Sequence, residues 1–270
     1  MKFKDILVHI DNSPQCANRL ELALKLAREH GAQLTGLYVI THPPYAPQDE
    51  QMKYDEDQAK AMFELKTGVT DVKAEWSSVD WATVGLDMAE VLNYYAHSKD
   101  LIIVGQIDPG KKQWGVPPDL PQRIIMGAGR PVLVVPYAGT FDSVGKRVIV
   151  AWKAGRASAR AVNDALPFLL NAEEVFALSI KDPDAQQWFE TGTEGGIRTN
   201  LERHAIKVKE THITMKSIPV ANLLMDYAWE HSCDLIVMGV YAQKHRGKYD
   251  LGPVAKGFFD HMTLPVLMAH

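Results

Sequence analysis

Only two cysteines occur in the 270 residues, Cys16 and Cys233, and neither has a neighbouring thiol or a metal-type spacing. This argues against a disulfide scaffold and a cysteine zinc cluster, and both residues read as buried thiols of a reducing compartment. No apolar run approaches the ~18–20 residues that span a bilayer, so no membrane segment is expected. Met1-Lys-Phe-Lys-Asp5 runs directly into a strand and has no apolar signal region. The expected setting is the cytoplasm. An excess of one charge is missing too: a formal net charge of −4 gives no general attraction to nucleic acid or anionic membranes. Catalytic signatures are also lacking. There is no Gly-x-x-x-x-Gly-Lys-Ser/Thr loop, no Gly-x-Ser-x-Gly elbow and no His-Glu-x-x-His. Nothing supplies an obvious catalytic base.

What the chain does have is internal repetition. Asp100-Leu-Ile-Ile-Val-Gly105 and Arg130-Pro131-Val-Leu-Val134 return as Asp234-Leu-Ile-Val-Met-Gly239 and Leu264-Pro265-Val-Leu-Met268, 134 positions further on. Ile6-Leu-Val-His-Ile-Asp11 returns as Val148-Ile-Val-Ala-Trp-Lys153, 142 positions further on. The second copy is therefore the shorter one between these blocks. A length of 270 residues, with 46% hydrophobic and 23% charged content, suits two soluble domains. Their expected extents are 1–138 and 146–270, because residues 136–145 have turn composition and read as a linker.

Residues 4–10 form a nearly continuous apolar run, as in a strand buried on both faces of a parallel sheet. Asn12-Ser13-Pro14 predicts a helix start, with a capping side chain and a proline in the first turn. Ala17, Leu20, Leu24 and Ala27 make one apolar stripe, and Gly31 ends the helix. Further strands are expected near 33–40, 72–77, 100–105 and 131–135, with helices near 50–68, 88–96 and 119–128. The second copy is expected to have strands near 146–152, 173–180, 211–216, 234–239 and 264–268. Its helices are expected near 156–170, 194–205, 219–231 and 252–261. Strands alternating with such helices predict βαβ crossovers. The fold class is α/β: two tandem doubly wound, five-stranded, parallel-sheet (Rossmann-like) domains. Ligands of such sheets sit beyond the carboxyl ends of the strands, where strand order reverses. In this chain that means the turn after the first strand and the loop after the fourth.

These blocks resemble the universal stress protein family across the whole chain, as two copies. The likeness is carried by Val8-His-Ile-Asp-Asn-Ser13, by Asp234 to Gly239 with the loop after it, and by His261-Met-Thr-Leu-Pro-Val-Leu-Met268 with Leu251-Gly252 upstream. Nucleotide-binding members of that family carry an Asp after the first strand. They also carry a loop of Gly, two residues, Gly, nine residues, Gly, then Ser or Thr. Glycines in such a loop let backbone N–H groups approach phosphate oxygens, and the helix amino terminus that follows favours negative charge. The resemblance implies strand order 3-2-1-4-5 in each domain and one pocket per copy. It also implies that the closing strands, 131–135 and 264–268, pair as sheet edges do, giving an intramolecular pseudo-dimer. Self-association of two chains through edge strands, as a homodimer, is a further expectation.

Laid on that pattern, the second copy has Gly239, Ala242 at the second glycine position, Gly252, and Pro253 where the hydroxyl would stand. Pro253 has neither a hydroxyl nor a backbone N–H. Lys153 takes the Asp position and reverses its charge, while Lys244, Arg246 and Lys248 would suit an anion. The first copy keeps Asp11 and Gly105, but Asp108, Pro118 and Asp119 take the remaining places. Like charges a few ångströms apart cost on the order of 1–4 kcal/mol each, so the first copy is expected to bind no nucleotide in the family's manner. The candidate binding residues are therefore Gly239, Ala242, Gly252, Pro253 and Lys153 in the second copy, with Asp11 and Gly105 in the first. No catalytic residue or metal ligand is expected, and ATP is the one candidate cofactor, in the second copy alone.

His9 shares a strand face with Asp11 and is read as a structural histidine. His231, Cys233, His245, His261 and His270 have spacings that fit no closed zinc site. Trp152 ends the second copy's first strand and is read as filling the core or plugging the slot, with stacking on a base as the alternative. Two functional readings stay open. One is a cytoplasmic stress-response regulator or adaptor that acts through unknown protein clients and has degenerate pockets, with neither nucleic acid nor membrane as partner. The other is an ATP- or nucleotide-binding stress sensor, with at most slow ATP hydrolysis, that uses the loop from Gly239 to Gly252. The crossovers near 41–70 and 181–205 differ between the copies and are candidates for partner contacts.

Overall fold

The first apolar run forms β1 (Asp5–Ile10), whose Ile6, Leu7 and Val8 are fully buried. A strand without a polar face belongs in mid-sheet. In this computed structural model, which describes residues 1–41, 49–110, 115–181, 196–214, 218–245 and 248–270, β1 pairs in parallel with β2 (Gln33–Ile40) and β4 (Leu101–Gly105). β3 (Ala74–Asp80) lies beyond β2 and β5 (Val132–Val135) beyond β4, giving the parallel order β3-β2-β1-β4-β5. Strand order thus reverses between β1 and β4. The chain divides into two units, Lys2–Asp142 and Ser143–His270. The second repeats the pattern with β6 (Arg147–Ala151), β7 (Glu174–Lys181), β8 (Val208–Thr214), β9 (Leu235–Gly239) and β12 (Val266–Ala269), in the parallel order β8-β7-β6-β9-β12. No helix among the described residues is long and apolar enough to cross a membrane.

Helices α1 (Cys16–His30) and α2 (Asp49–Thr67) connect the first three strands. After a short α3 (Trp81–Val84), α4 (Met88–Ala96) and α5 (Leu120–Gly127) complete the first unit. Of the predicted stripe of α1, Leu20, Leu24 and Ala27 are buried together with Ala23, each at most 6% exposed, while Ala17 is half-buried. Burial of a leucine side chain contributes about 1.5–3 kcal/mol. Val162, Ala165, Leu166 and Leu169 hold the same places in α6 (Arg156–Leu169) and are also buried. The 142-residue offset of β1 and β6 therefore extends through the helix that follows each. The remaining helices are α7 (Ile197–Arg203), α8 (Val220–Glu230) and α9 (Pro253–His261).

The repeated Asp100 and Asp234 tie each sheet to the start of its central strand. Asp100 accepts the backbone N–H groups of Lys4 and Asp5, and Asp234 accepts those of Gly145, Lys146 and Arg147 together with the Ser143 hydroxyl. Three local expectations change. Asn12-Ser13-Pro14 forms a turn rather than the helix start: the Asp11 carboxylate takes the backbone N–H and hydroxyl of Ser13, and α1 begins at Cys16 without a side-chain cap. The expected loop after Gly239 contains an antiparallel hairpin, β10 (Ala242–His245) with β11 (Lys248–Leu251). The short helix α3 is capped by Asp80, whose carboxylate takes the Ala82 N–H, a local signal that strand periodicity conceals. Cys16 is buried as expected, whereas Cys233 is only half-buried.

Candidate ligand crevices

In the first unit the crevice at the reversal of strand order is filled from within. Asp11 follows β1, and its Oδ2 accepts a hydrogen bond from Arg19 Nη2 at 2.8 Å, while Arg19 Nε donates to the His9 carbonyl at 2.9 Å. Arg19 is 3% exposed. It lies near the start of α1, and helical side chains tilt toward the amino terminus, so it reaches back over the end of β1. A Cβ at Gly105 would stand 2.2 Å from Arg19 Nη1. The glycine that the family pattern reserves for phosphate thus makes room for a guanidinium. What remains between His9, Asp11, Gln106 and Asp108 is a cavity of 20 Å³, space for about one water molecule.

The electrostatics follow from this pairing. Burial alone would raise the Asp11 pKa, but Arg19, His9 and the Ser13 hydrogen bonds outweigh it and hold the carboxyl at about 2. Burial likewise works against the Arg19 charge, and the adjacent Asp11 more than compensates, keeping the guanidinium protonated. His9 is 2% exposed, and burial pushes it down to about 4, with Asp11 opposing and Arg19 assisting. It is neutral near pH 7. Its Nδ1 lies 3.8 Å from Asp11 Oδ2, and its Nε2 has no hydrogen-bond partner among the described residues. Burial pushes the Cys16 thiol up to about 11, so no thiolate forms there near neutrality. Asp108 lines the cavity and takes the Gly110 N–H at 2.9 Å, whereas Asp119 is exposed at the start of α5. The two carboxylates thus occupy different settings.

In the second unit two amides of the loop after β9 are bonded to the protein's own backbone. Val240 N–H donates to the Ala269 carbonyl at 2.7 Å and Gly252 N–H to the Tyr241 carbonyl at 2.9 Å. Pro253 is the first residue of α9 and has no N–H. Ala242 opens β10, facing Leu251 across the hairpin, so the nine-residue stretch that would wrap a phosphate is paired with itself. A Cβ at Gly239 would lie 2.3 Å from the backbone of Ala157 and Ser158. This glycine is required by the close approach of β9 to the start of α6. Lys153 is exposed. Arg246 lies outside the described residues, as do the side chains of Ala242, Lys244 and Lys248.

Arg19 is the residue that sequence reasoning passed over, since it reads as one polar position on an amphipathic helix. The signal was present in the other copy: the same offset that pairs Asp11 with Lys153 pairs Arg19 with Ala161, which is 1% exposed. The acid and its partner differ together between the copies, as they do at His9 and Ala151.

A family model described as the universal stress protein family matches residues 2–136 and again 145–270. No curated protein matches the chain. Among solved structures, a universal stress protein from Archaeoglobus fulgidus DSM 4304 aligns over 98% of this chain and 95% of its own, at 15% identity and a TM-score of 0.73. A protein of Pseudomonas aeruginosa UCBPP-PA14 assigned to the same family aligns over 99% of this chain and 93% of its own, at 16% identity and a TM-score of 0.60. At these identities the likeness is one of fold. With two matches that together span nearly its whole length, the chain belongs to the universal stress protein family and carries that family's domain twice in tandem.

Proposed function

We propose that this protein is a cytoplasmic stress-response regulator or adaptor that acts through contacts with protein clients, and that neither crevice takes a nucleotide in the family's manner. The observation that carries this reading is the Arg19–Asp11 pair, which occupies the first crevice and leaves 20 Å³. The bonded amide of Gly252, with Pro253 at the first turn of α9, supports it in the second unit. Self-association through edge strands belongs to the same proposal. Light scattering is expected to find twice the 30.1 kDa chain mass.

The competing reading, a nucleotide sensor in the second unit, draws on Gly252 at the amino terminus of the nine-residue α9 and on the exposed Lys153. Titration calorimetry of the intact chain with ATP and magnesium separates the two. No heat of binding is expected, and mass spectrometry is expected to find no co-purified nucleotide. Binding at one site per chain that disappears in Gly252→Glu would overturn the adaptor reading in favour of the sensor.

A further inference from the structure

We infer that the second unit binds an uncharged aromatic small molecule in a cavity between α6 and α7, apart from the crevice where strand order reverses. The cavity measures 370 Å³, within the ~300–1,000 Å³ of small-molecule sites. Its floor is apolar: Val162 and Leu166 of α6 and Ile197 of α7 are 6%, 7% and 4% exposed. Trp152, half-buried just beyond β6, forms a wall and offers an indole face on which a ring can stack. Asn163, Asn200 and His204 stand exposed at the rim and supply hydrogen-bond donors and acceptors. No Asp, Glu, Lys or Arg is among the described residues that line the cavity. A phosphate or carboxylate would find no counter-charge there, and burying an unpaired charge against this floor is costly. The chemistry that fits is a neutral ring with polar groups at its edge.

The two copies differ at this place in a concerted way. In the first unit α2, with 19 residues, packs on α1, and its Ala59 and Phe63 are buried beside the sheet. The crossover helix of the second unit, α7, has 7 residues. The position of the exposed Glu21, which pairs with Lys66 of α2, is taken by the uncharged Asn163, and that of the buried Ile10 by Trp152. A shorter helix, a lost charge and a gained indole together make an aromatic-lined space where the first unit has an ion-paired helix contact. This site lies outside both nucleotide-type crevices and does not depend on whether either is active.

Nile red, an uncharged aromatic dye that brightens in apolar surroundings, serves as the probe. Titrated into the intact chain, it should saturate at one site per chain. Asn163→Trp and Asn200→Trp fill the rim from exposed helix positions and should each weaken binding at least ~10-fold, equivalent to about 1.4 kcal/mol. Glu21→Trp, at the matching position of the first unit, should leave binding unchanged. Circular dichroism melts establish that each variant is folded. Dye binding that fails to saturate, or that survives both rim variants, overturns the site. Equal loss in Glu21→Trp overturns its assignment to the second unit.

Discussion

Replacing Arg19 by methionine removes the charge that fills the first crevice while keeping an apolar stem of similar reach. The Asp11 carboxylate, with a side chain only 12% exposed, would then lose its cationic partner, and the His9 carbonyl would lose its donor. Breaking a buried ion pair from one side costs about 3–5 kcal/mol. In a domain of this size each kcal/mol lowers Tm by about 2–4 °C, so the first unit should melt on the order of 10 °C earlier. Scanning calorimetry, which resolves separately melting units, is the assay. The second unit should be unaffected, because Ala161 stands at the matching place. The double variant Asp11→Asn with Arg19→Met removes both charges and should recover most of the loss. The acid limb tests the same pair independently. Asp11 is held at about 2, below its ordinary 3.8, which corresponds to about 2 kcal/mol of stability present above pH ~4 and lost as pH falls toward 2. In Arg19→Met, burial acts against a weakened opposition, so the Asp11 pKa rises and that limb moves to higher pH. A loss below about 1 kcal/mol, or a double variant as unstable as the two single losses added together, would refute the idea that this pair holds the crevice shut.

His9 titrates at about 4 in the folded chain against 6.5 in the unfolded one. The unfolded state therefore binds more protons between these values, and stability should fall by about 3 kcal/mol as pH drops from 6.5 to 4. Urea unfolding of His9→Gln at pH 7 and pH 4.5 should show a shallower fall, though not a flat one, because burial also holds His30 at about 4. An unchanged pH dependence counts against a buried neutral His9. Gly239→Ala drives a Cβ into the backbone of α6 and should reach or exceed the upper end of the ~1–3 kcal/mol typical of overpacking. Gly105→Ala meets the movable tip of Arg19 and should cost less, so a reversed order in thermal melts would contradict the packing described. Asp234→Ala leaves three amides and a hydroxyl without their acceptor and should cost about 3 kcal/mol. Asp100→Ala should cost less, since it frees two amides, and equal losses by denaturant titration would argue against that role.

The strands and the helix faces were legible in the residues because both depend on periodic burial, while the strand order came with the family resemblance. A run such as Ile6-Leu-Val has no polar face to show to water, and the stripe of Leu20, Leu24 and Ala27 has one side to bury. The tandem arrangement was legible for a simpler reason, since 134- and 142-residue offsets are visible without any structure. Set against the family's nucleotide-binding pattern, the sequence also shows departures at Lys153, Pro253 and Asp108. What occupies those places was decided in three dimensions. Arg19 and Gly105 are 86 positions apart, and no local pattern says that one fills the space left by the other's missing side chain. The hairpin after Gly239 depends on which amides find carbonyls once β9 and β12 are paired, and the cavity beside Trp152 depends on the length of a helix from another crossover. Composition and periodicity record how each residue meets water, while a crevice is set by which distant side chain reaches a shared volume first.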